Sequence, residues 1–586
     1  MSTNRELSRI FDQIASAQEL LGANRFKIAA HQRAARLLKD MTREVDDLVA
    51  EDPADRIGQL TAIDGIGKGL AEKILEYLDT GEISEHQELL EKVPPGLFDV
   101  LEVPGLGPKA VKLMWDELGI ASVDDLKAKL DSPELEALPR MGAKTIDNIK
   151  KAIAFAESSG DRIPLGRALP LAQELVESLK TVQGVQRIDY AGSLRRGRET
   201  IGDLDFLVAC EDPAAVRNAF TTLPAVTQVL AKGETKSSVR LQSGRVAVQA
   251  DLRIVDAAAY GAALLYFTGS KEHNVRLRER AIEKNLRLNE YGLFKGKEER
   301  PQERGEKPVA AEDEADIYKA LDLPYIEPEL REDRGELDSV PERLIALEDI
   351  RAELHAHTTA SDGRLSIVEL AEEAKSRGFH TLAVTDHSQS QVIANGLSPD
   401  RLRKHIDAVR EANEKVSGIE VLAGSEVDIL ADGSLDYEDE LLAQLDVVVA
   451  SPHAALRQDP KTATERLLTA LRHPLVHILG HPTGRLVGRR EGLSPDMDAL
   501  FAAAVENDVA LELNANWHRL DLRDIHLRSA LAAGCKIAID TDAHDSPHFD
   551  FLTYGILTAR RAAMPPDACI NAWSAEKLHG WLKSKR

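Results

Sequence analysis

Cysteine is scarce: Cys210, Cys535 and Cys569 are the three in 586 residues. None forms a CxxC pair, which argues against a cysteine-rich zinc site or a disulfide framework and fits a reducing, cytoplasmic compartment. No apolar run reaches the ~18 residues of a membrane span, and the opening MSTNRELSRIFDQ has no apolar core of signal-peptide type. A surplus of positive charge is also missing: 98 acidic residues face 74 basic ones, a net charge of −24. That argues against a general nucleic-acid coat protein. It leaves open DNA contacts made by loops and helix N-termini, which need little net charge. The chain is too long for one core, and three or four domains are expected.

What is present changes texture along the chain. Up to about residue 155, apolar residues recur at helical spacing, as in NRELSRIFDQIASAQELLG. Three similar punctuations follow: LTAIDGIGKGLAEKI, LEVPGLGPKAVKLMW and LEALPRMGAKTIDNIK. Each has an apolar lead, a glycine turn and a helix start, an internal repeat of helix–hairpin–helix type. Gly65, Gly67 and Lys68, then Gly105, Gly107 and Lys109, then Gly142 and Lys144 would present amides and ammonium groups to DNA phosphates. From about 160 to 300, strand-like runs such as LDFLVAC alternate with helices. Residues 297 to about 350 are rich in Glu, Arg and Pro and read as a partly structured linker.

From Ile350 short apolar strands recur, each ending in polar residues: AELHAH, LAVTDHS, VLAGSEVDI, VVVASPH, VHILGHP, VALELNAN and KIAIDTDAH. Seven such strands with helices between them predict a parallel barrel, with its active site at the strand C-termini. His355 and His357 alternate on one face of the first strand. Asp362, His387, Glu426, His453, His481, Asp542 and His544 fall at the same mouth. Nine imidazole and carboxylate groups exceed one ion's needs and suit two or three. Mixed nitrogen and oxygen ligands favour zinc, manganese or iron. Clustered divalent ions suit phosphoester hydrolysis, because they activate water and clamp the attacking and leaving oxygens.

The second informative stretch is AGSLRRGRETIGDLDFLV. Asp203 and Asp205 are i and i+2 on a strand, so both carboxylates face one way. Such a pair can chelate two magnesium ions, and Asp251 in VQADLRIV lies on a neighbouring strand. Gly192 and Ser193 follow a strand and open a helix, where backbone amides can cradle a phosphate. Arg196 is placed to add charge.

These patterns carry a resemblance. HxH, TDH, an internal Glu and His, GHP and DxDAH over about residues 350–580 resemble the polymerase and histidinol phosphatase (PHP) domain. By that resemblance His355, His357, Glu426 and Asp542 would hold one ion. Glu426, His453 and His481 would hold a second, and Asp362, His387 and His544 a third. GS followed by DxD resembles the nucleotidyltransferase palm, and LLYFTGSKEHNVRLRERAIEKNLRLNEYGLF resembles the family X DNA polymerases. The resemblance implies that Tyr266, Phe267, Thr268 and Gly269 pack against the incoming sugar. It places Asn274 at the incoming base and Arg278 on the template side. Lys271 stands where animal relatives carry an acidic residue. It also puts Lys73 in GLAEKI at a Schiff-base lyase position, although Gly69 and His31 depart from the supporting lysine and tyrosine.

The fold class expected is therefore multidomain: an all-α helix–hairpin–helix N-terminal region, an α+β nucleotidyltransferase palm and fingers, and a C-terminal α/β distorted (βα)7 barrel. The expected division is a DNA-end-binding domain over 1–90, a fingers-type helix–hairpin–helix subdomain over 91–155 and the palm over 156–255. A nucleotide-selection subdomain over 256–325, a linker over 326–349 and the PHP domain over 350–586 complete it. The expected activity is gap-filling DNA synthesis in base excision repair, with a 3′–5′ exonuclease and activity at abasic sites in the barrel. The cofactors expected are Mg2+ or Mn2+ at the palm and two or three Zn2+ or Mn2+ ions in the barrel. The expected partners are gapped or nicked DNA and dNTPs, with no membrane and a monomeric chain. Two other readings remain: a small-molecule phosphatase barrel, and a DNA-binding module with a weak polymerase site.

Overall fold

The computed structural model describes residues 3–41, 44–50, 52–63, 65–101, 103, 106–139, 141–142, 145–146, 149–150, 162–243, 246–296, 298 and 300–585. The chain divides into two compact units, Met1–Asp161 and Arg162–Arg586. Among the described residues, no helix is long and apolar enough to cross a membrane.

The first unit is helical. In α1 (Thr3–Leu20) the residues Leu7, Ile10, Phe11 and Ile14 follow the i, i+3, i+4, i+7 rule and are buried. They pack in one core with residues of α2 (Arg25–Asp40), α3 (Lys68–Thr80) and α4 (Pro108–Leu118). Gly67 and Gly107 are the N-caps of α3 and α4, and neither helix start is capped by a side chain. The leading amides there are open to an outside acceptor.

The second unit opens with α5 (Leu165–Lys180), whose Leu165, Leu169, Leu175 and Leu179 cover a mixed sheet. The sheet strands are β1 (Val185–Tyr190), β2 (Asp203–Cys210), β3 (Val226–Lys232), β4 (Lys236–Ser243) and β5 (Val246–Val255). Their order is β1-β2-β5-β4-β3, and only the β2–β5 pair is parallel. That pair sets Asp205 opposite Asp251. Two helices, α6 (Tyr260–Thr268) and α7 (Lys271–Glu283), follow, with a hairpin of β6 (Leu286–Asn289) and β7 (Gly292–Lys295) behind them.

The linker expected over 326–349 is not one. After α8 (Glu314–Ala320), the side chains of Ile326, Leu330 and Leu344 join a core with Ala262, Leu265 and Leu277. Arg331 is fully buried against Glu314 at 2.6 Å, and Glu336 meets His273 at 2.7 Å. Part of the charge that suggested solvent is taken up in such buried ion pairs.

The barrel strands are β8 (Ala352–Ala356), β9 (Thr381–Val384), β10 (Glu420–Asp428), β11 (Val447–Ser451), β12 (Ile478–Leu479), β13 (Ala510–Asn514) and β14 (Ile537–Asp540). All seven are parallel and adjacent in chain order. Every residue of β11 is buried, the pattern of a strand covered on both faces. A bridge from Ala356 to Ala543 nearly closes the ring, with the His357 amide donating to the Ala543 carbonyl at 2.8 Å. Helix α9 (Asp524–Ala532) precedes β14, and α10 (Leu552–Arg561) follows it.

Candidate active sites

The first site lies on the palm sheet. Asp203 projects from the start of β2, Asp205 two residues on, and buried Asp251 beside it on β5. Burial and then the neighbouring Asp203 and Asp251 push Asp205 up to about 7. Burial and Asp251 likewise raise Asp203. Three carboxylates crowded this way fit bound cations, which would relieve their repulsion. Lys236 on β4, which the sequence reading missed, reaches Asp251 at 2.6 Å, and Gln249 donates to the same carboxylate at 3.1 Å. A Cβ at Gly192 would lie 2.6 Å from Asp205 Oδ2, so glycine lets the turn approach the carboxylate.

The residues expected on the nucleotide side gather around that turn. Ser193 lies in it, half-buried, and Arg195 donates to Thr268 Oγ1 at 2.7 Å and pairs with Glu314. Arg196, expected to add charge there, is engaged within the protein. Its Nε donates to Glu332 at 3.0 Å and its Nη1 to the Thr268 carbonyl at 2.5 Å. The two arginines thus bind the Gly192 turn to the Tyr266–Gly269 turn. Tyr266 and Phe267 meet edge to face at 5.1 Å, and Arg253 sits 4.3 Å over the Phe267 ring. Asn274 donates to the Tyr266 carbonyl at 2.8 Å. A small cleft is lined by Leu265, Tyr266, Asn274, Arg278, Leu288 and Asn289. Lys271 is exposed at the first turn of α7.

In the helical unit Gly67 and Lys68 are exposed at the start of α3, and Gly107 and Lys109 at the start of α4. Gly65 has left-handed backbone, and Gly142 is exposed in the third hairpin. Gly105 and Lys144 lie outside the described residues. Lys73 is paired with Glu85 at 3.0 Å, and His31 approaches the same carboxylate at 3.8 Å.

The second site fills the barrel mouth and brings together all nine residues expected there. His357, Asp362, His387 and His544 present ligand atoms within 4.8 Å of one another. So do His355, His357 and Asp542, and so do His387, Glu426 and His453. His357 and His387 therefore each belong to two groups, whereas Glu426 was the residue expected to be shared. His481 Nε2 lies 2.8 Å from Glu426 Oε1. His355 Nε2 is buried and makes no hydrogen bond, although Glu426 and Asp542 oxygens stand 3.4 and 3.7 Å away. His387 Nδ1 lies 2.7 Å from Glu426 Oε2, again outside hydrogen-bond geometry. Lone pairs that converge without pairing fit shared metal ions. His481 and Asp542 have φ of +23° and +54°, strained backbone of the kind that clusters at functional sites.

Outer residues orient these rings, and the sequence reading missed them. His355 Nδ1 donates to Glu512 at 2.6 Å, and the His481 amide donates to the other Glu512 oxygen at 2.5 Å. His453 Nδ1 donates to Asp428 at 3.1 Å. Asp542 is met by Asn514 at 3.2 Å and Arg519 at 3.5 Å. Asp428 could have been found, because it is i+2 from Glu426 on β10 and shares its face. Burial pushes Glu512 up to about 7, although the His355 ring beside it pulls the other way. Burial lowers His481, to about 3.

A Helix-hairpin-helix domain matches residues 2–83, and a SAM-like Helix-hairpin-helix tandem matches 98–154. The DNA polymerase beta thumb matches 263–332, and the PHP domain matches 353–516. The DNA polymerase/3′-5′ exonuclease PolX of Bacillus subtilis (strain 168) is 37% identical over 581 residues, 99% of either chain. DNA polymerase lambda of Arabidopsis thaliana is 28% identical over 353 residues, 56% of this chain and 62% of its own. A probable phosphatase of Thermoanaerobacter sp. (strain X514) is 27% identical over 243 residues, 40% of this chain and 94% of its own.

Proposed function

This chain belongs to the family X DNA polymerases of the PolX type, which join a polymerase to a PHP-domain 3′–5′ exonuclease, and from that premise we propose how its residues divide the work. The protein extends a primer across short gaps in gapped or nicked DNA from dNTPs, and its barrel degrades DNA from the 3′ end. The observation that carries the polymerase reading is the register of Asp205 with Asp251, side by side on two parallel strands.

Asp203, Asp205 and Asp251 hold Mg2+ or Mn2+. The nine barrel residues hold two or three Zn2+ or Mn2+ ions. When bound, such ions supply Lewis-acid charge where phosphoryl transfer or phosphoester hydrolysis builds negative charge. The chain's own groups do the rest. Asp251 takes the proton from the primer 3′-hydroxyl. Ser193 and the amides of its turn receive the triphosphate, and Tyr266 and Phe267 pack against the incoming sugar. Asn274 and Arg278 face the base and the template. Glu512 and Asp428 fix His355 and His453 with their Nε2 atoms turned inward. The open helix starts at Gly67–Lys68 and Gly107–Lys109 take DNA phosphates, with Gly65, Gly105, Gly142 and Lys144 in the same role. Lys73, held by Glu85, serves as a fixed charge for a 5′-phosphate rather than as a lyase nucleophile. The chain acts as a monomer.

A primer annealed across a one-nucleotide gap, supplied with dNTPs and either Mg2+ or Mn2+, tests this directly. Extension with dNTPs and 3′–5′ shortening without them support the reading. Hydrolysis of small phosphomonoesters with no shortening of DNA would instead support a phosphatase barrel, the activity named for the Thermoanaerobacter relative.

A further inference from the structure

The polymerase turn that carries Arg196 is gripped from the nuclease barrel. Arg561, the last residue of α10, donates through Nη1 to the Arg196 carbonyl at 2.6 Å and to Glu332 at 2.9 Å. Glu332 is the carboxylate that also holds the Arg196 side chain, at 3.0 Å, and Arg198, at 3.2 Å. Arg561 is itself fixed by Asp524 at the start of α9, at 2.8 Å, and Asp524 is shared with Arg334 at 3.0 Å. Arg561 is 4% exposed, so its bonds are not traded with solvent. The same helix backs the turn sterically: a Cβ at Gly197 would lie 3.2 Å from Leu557. Two residues further on, Glu199 pairs with Arg485 of the barrel at 2.6 Å.

We infer that Arg561 is a positioning residue for DNA synthesis: from the barrel it fixes the Arg196 carbonyl and shares Glu332, and so shapes the turn that receives the dNTP triphosphate. Glu332 serves three guanidinium groups. Without Arg561 its carboxylate would swing toward Arg196 and Arg198, and the Arg196 carbonyl would lose a buried donor. Arg196 would then be drawn off its present line between Glu332 and Thr268, and the turn would lose its shape without any change at Asp203, Asp205 or Asp251. None of the nine barrel ligands touches this network in the structure, so nuclease chemistry should not sense it.

The inference rests on the reading that the Gly192–Arg196 turn holds the triphosphate, and the test separates the two. Single-nucleotide gap filling is measured against dNTP concentration for the full chain, Arg561→Ala and Arg561→Lys. Inhibition by inorganic tripolyphosphate is measured alongside, with 3′–5′ degradation and thermal melting as folding controls. Loss of charge-assisted hydrogen bonds should raise KM for dNTP and the tripolyphosphate inhibition constant together, by about tenfold in Arg561→Ala. The rise should be smaller in Arg561→Lys, with KM for DNA and the degradation rate unchanged. If Arg561→Ala fails to fold, Asp524→Asn, which loosens Arg561 in place, should shift both constants in the same direction. A folded variant with wild-type values of both constants, or with KM raised and tripolyphosphate inhibition unmoved, would overturn the inference. Failure of the underlying reading would look different: Ser193→Ala and Arg196→Ala would leave KM for dNTP where it is.

Discussion

Glu512 accepts from two histidines of the barrel mouth at once, from the ring of His355 at 2.6 Å and from the backbone of His481 at 2.5 Å. Both rings are closed off from solvent. The first contact fixes the proton on Nδ1 of His355 and leaves Nε2 as the inward lone pair. In Glu512→Gln an amide N–H facing the ring would reverse that tautomer. The expected outcome is a loss of 3′–5′ degradation or metal affinity of about 10- to 100-fold, with extension unchanged. Metal titration of the variant beside a primer-shortening assay checks it, and wild-type metal affinity would remove Glu512 from the site.

A downstream 5′-phosphate should accelerate gap filling. Helices α3 and α4 begin at exposed glycines with no side-chain caps, next to Lys68 and Lys109. Extension across a one-nucleotide gap bearing a 5′-phosphate should exceed extension on an open template, and Lys68→Ala together with Lys73→Ala should erase most of the difference. Equal rates on the two substrates in the unmodified protein would show that these groups do not recruit the phosphate. Borohydride should trap no covalent adduct at Lys73, because its ammonium is committed to Glu85.

Glu314 should make the second unit acid-sensitive. Burial alone would raise its pKa, but Arg331 and Arg195 outweigh it and hold the carboxyl down at about 2, from an ordinary 4.5. A depressed folded-state pKa contributes stability that is complete above about 4.5 and lost as pH falls toward 2. At ~1.4 kcal/mol for each pH unit between the two pKa values, the linked stability is roughly 3 to 4 kcal/mol. Glu314→Gln should lower the melting temperature at neutral pH and flatten its decline between pH 4.5 and 2. A variant that keeps the wild-type slope over that window would assign the acid sensitivity to other groups.

The barrel and most of the residues gathered at its mouth were legible because they follow or end apolar runs in the sequence, and a buried parallel strand is such a run. The register of Asp205 with Asp251 was half legible. The DxD spacing put two carboxylates on one face, but only the sheet order shows which strand lies alongside. Glu332, Arg331 and Glu336 were misread, since a run of charges looks the same whether it faces water or pairs inside a core. Their partners Arg196, Glu314 and His273 lie between 17 and 136 residues away in the chain, beyond any local spacing rule. Glu512 escaped for a related reason: in VALELNAN it has no ligand spacing, and its role comes from what the neighbouring strands bring to it.

The most direct test of two separate active sites in one chain is a crossed pair of variants on one substrate. Asp205→Ala removes a carboxylate from the palm, and His357→Ala removes a ring from the barrel mouth. On a gapped primer-template, Asp205→Ala should lose extension by several kcal/mol of transition-state stabilisation, roughly a thousandfold in rate, and still shorten the primer at the wild-type rate. His357→Ala should do the reverse, with a lower bound-metal content by elemental analysis, because His357 stands in two of the three ligand groups. If either folded variant lost both activities together, or if His357→Ala kept its full metal content and digested DNA at the wild-type rate, the assignment of two chemistries to two sites would be contradicted.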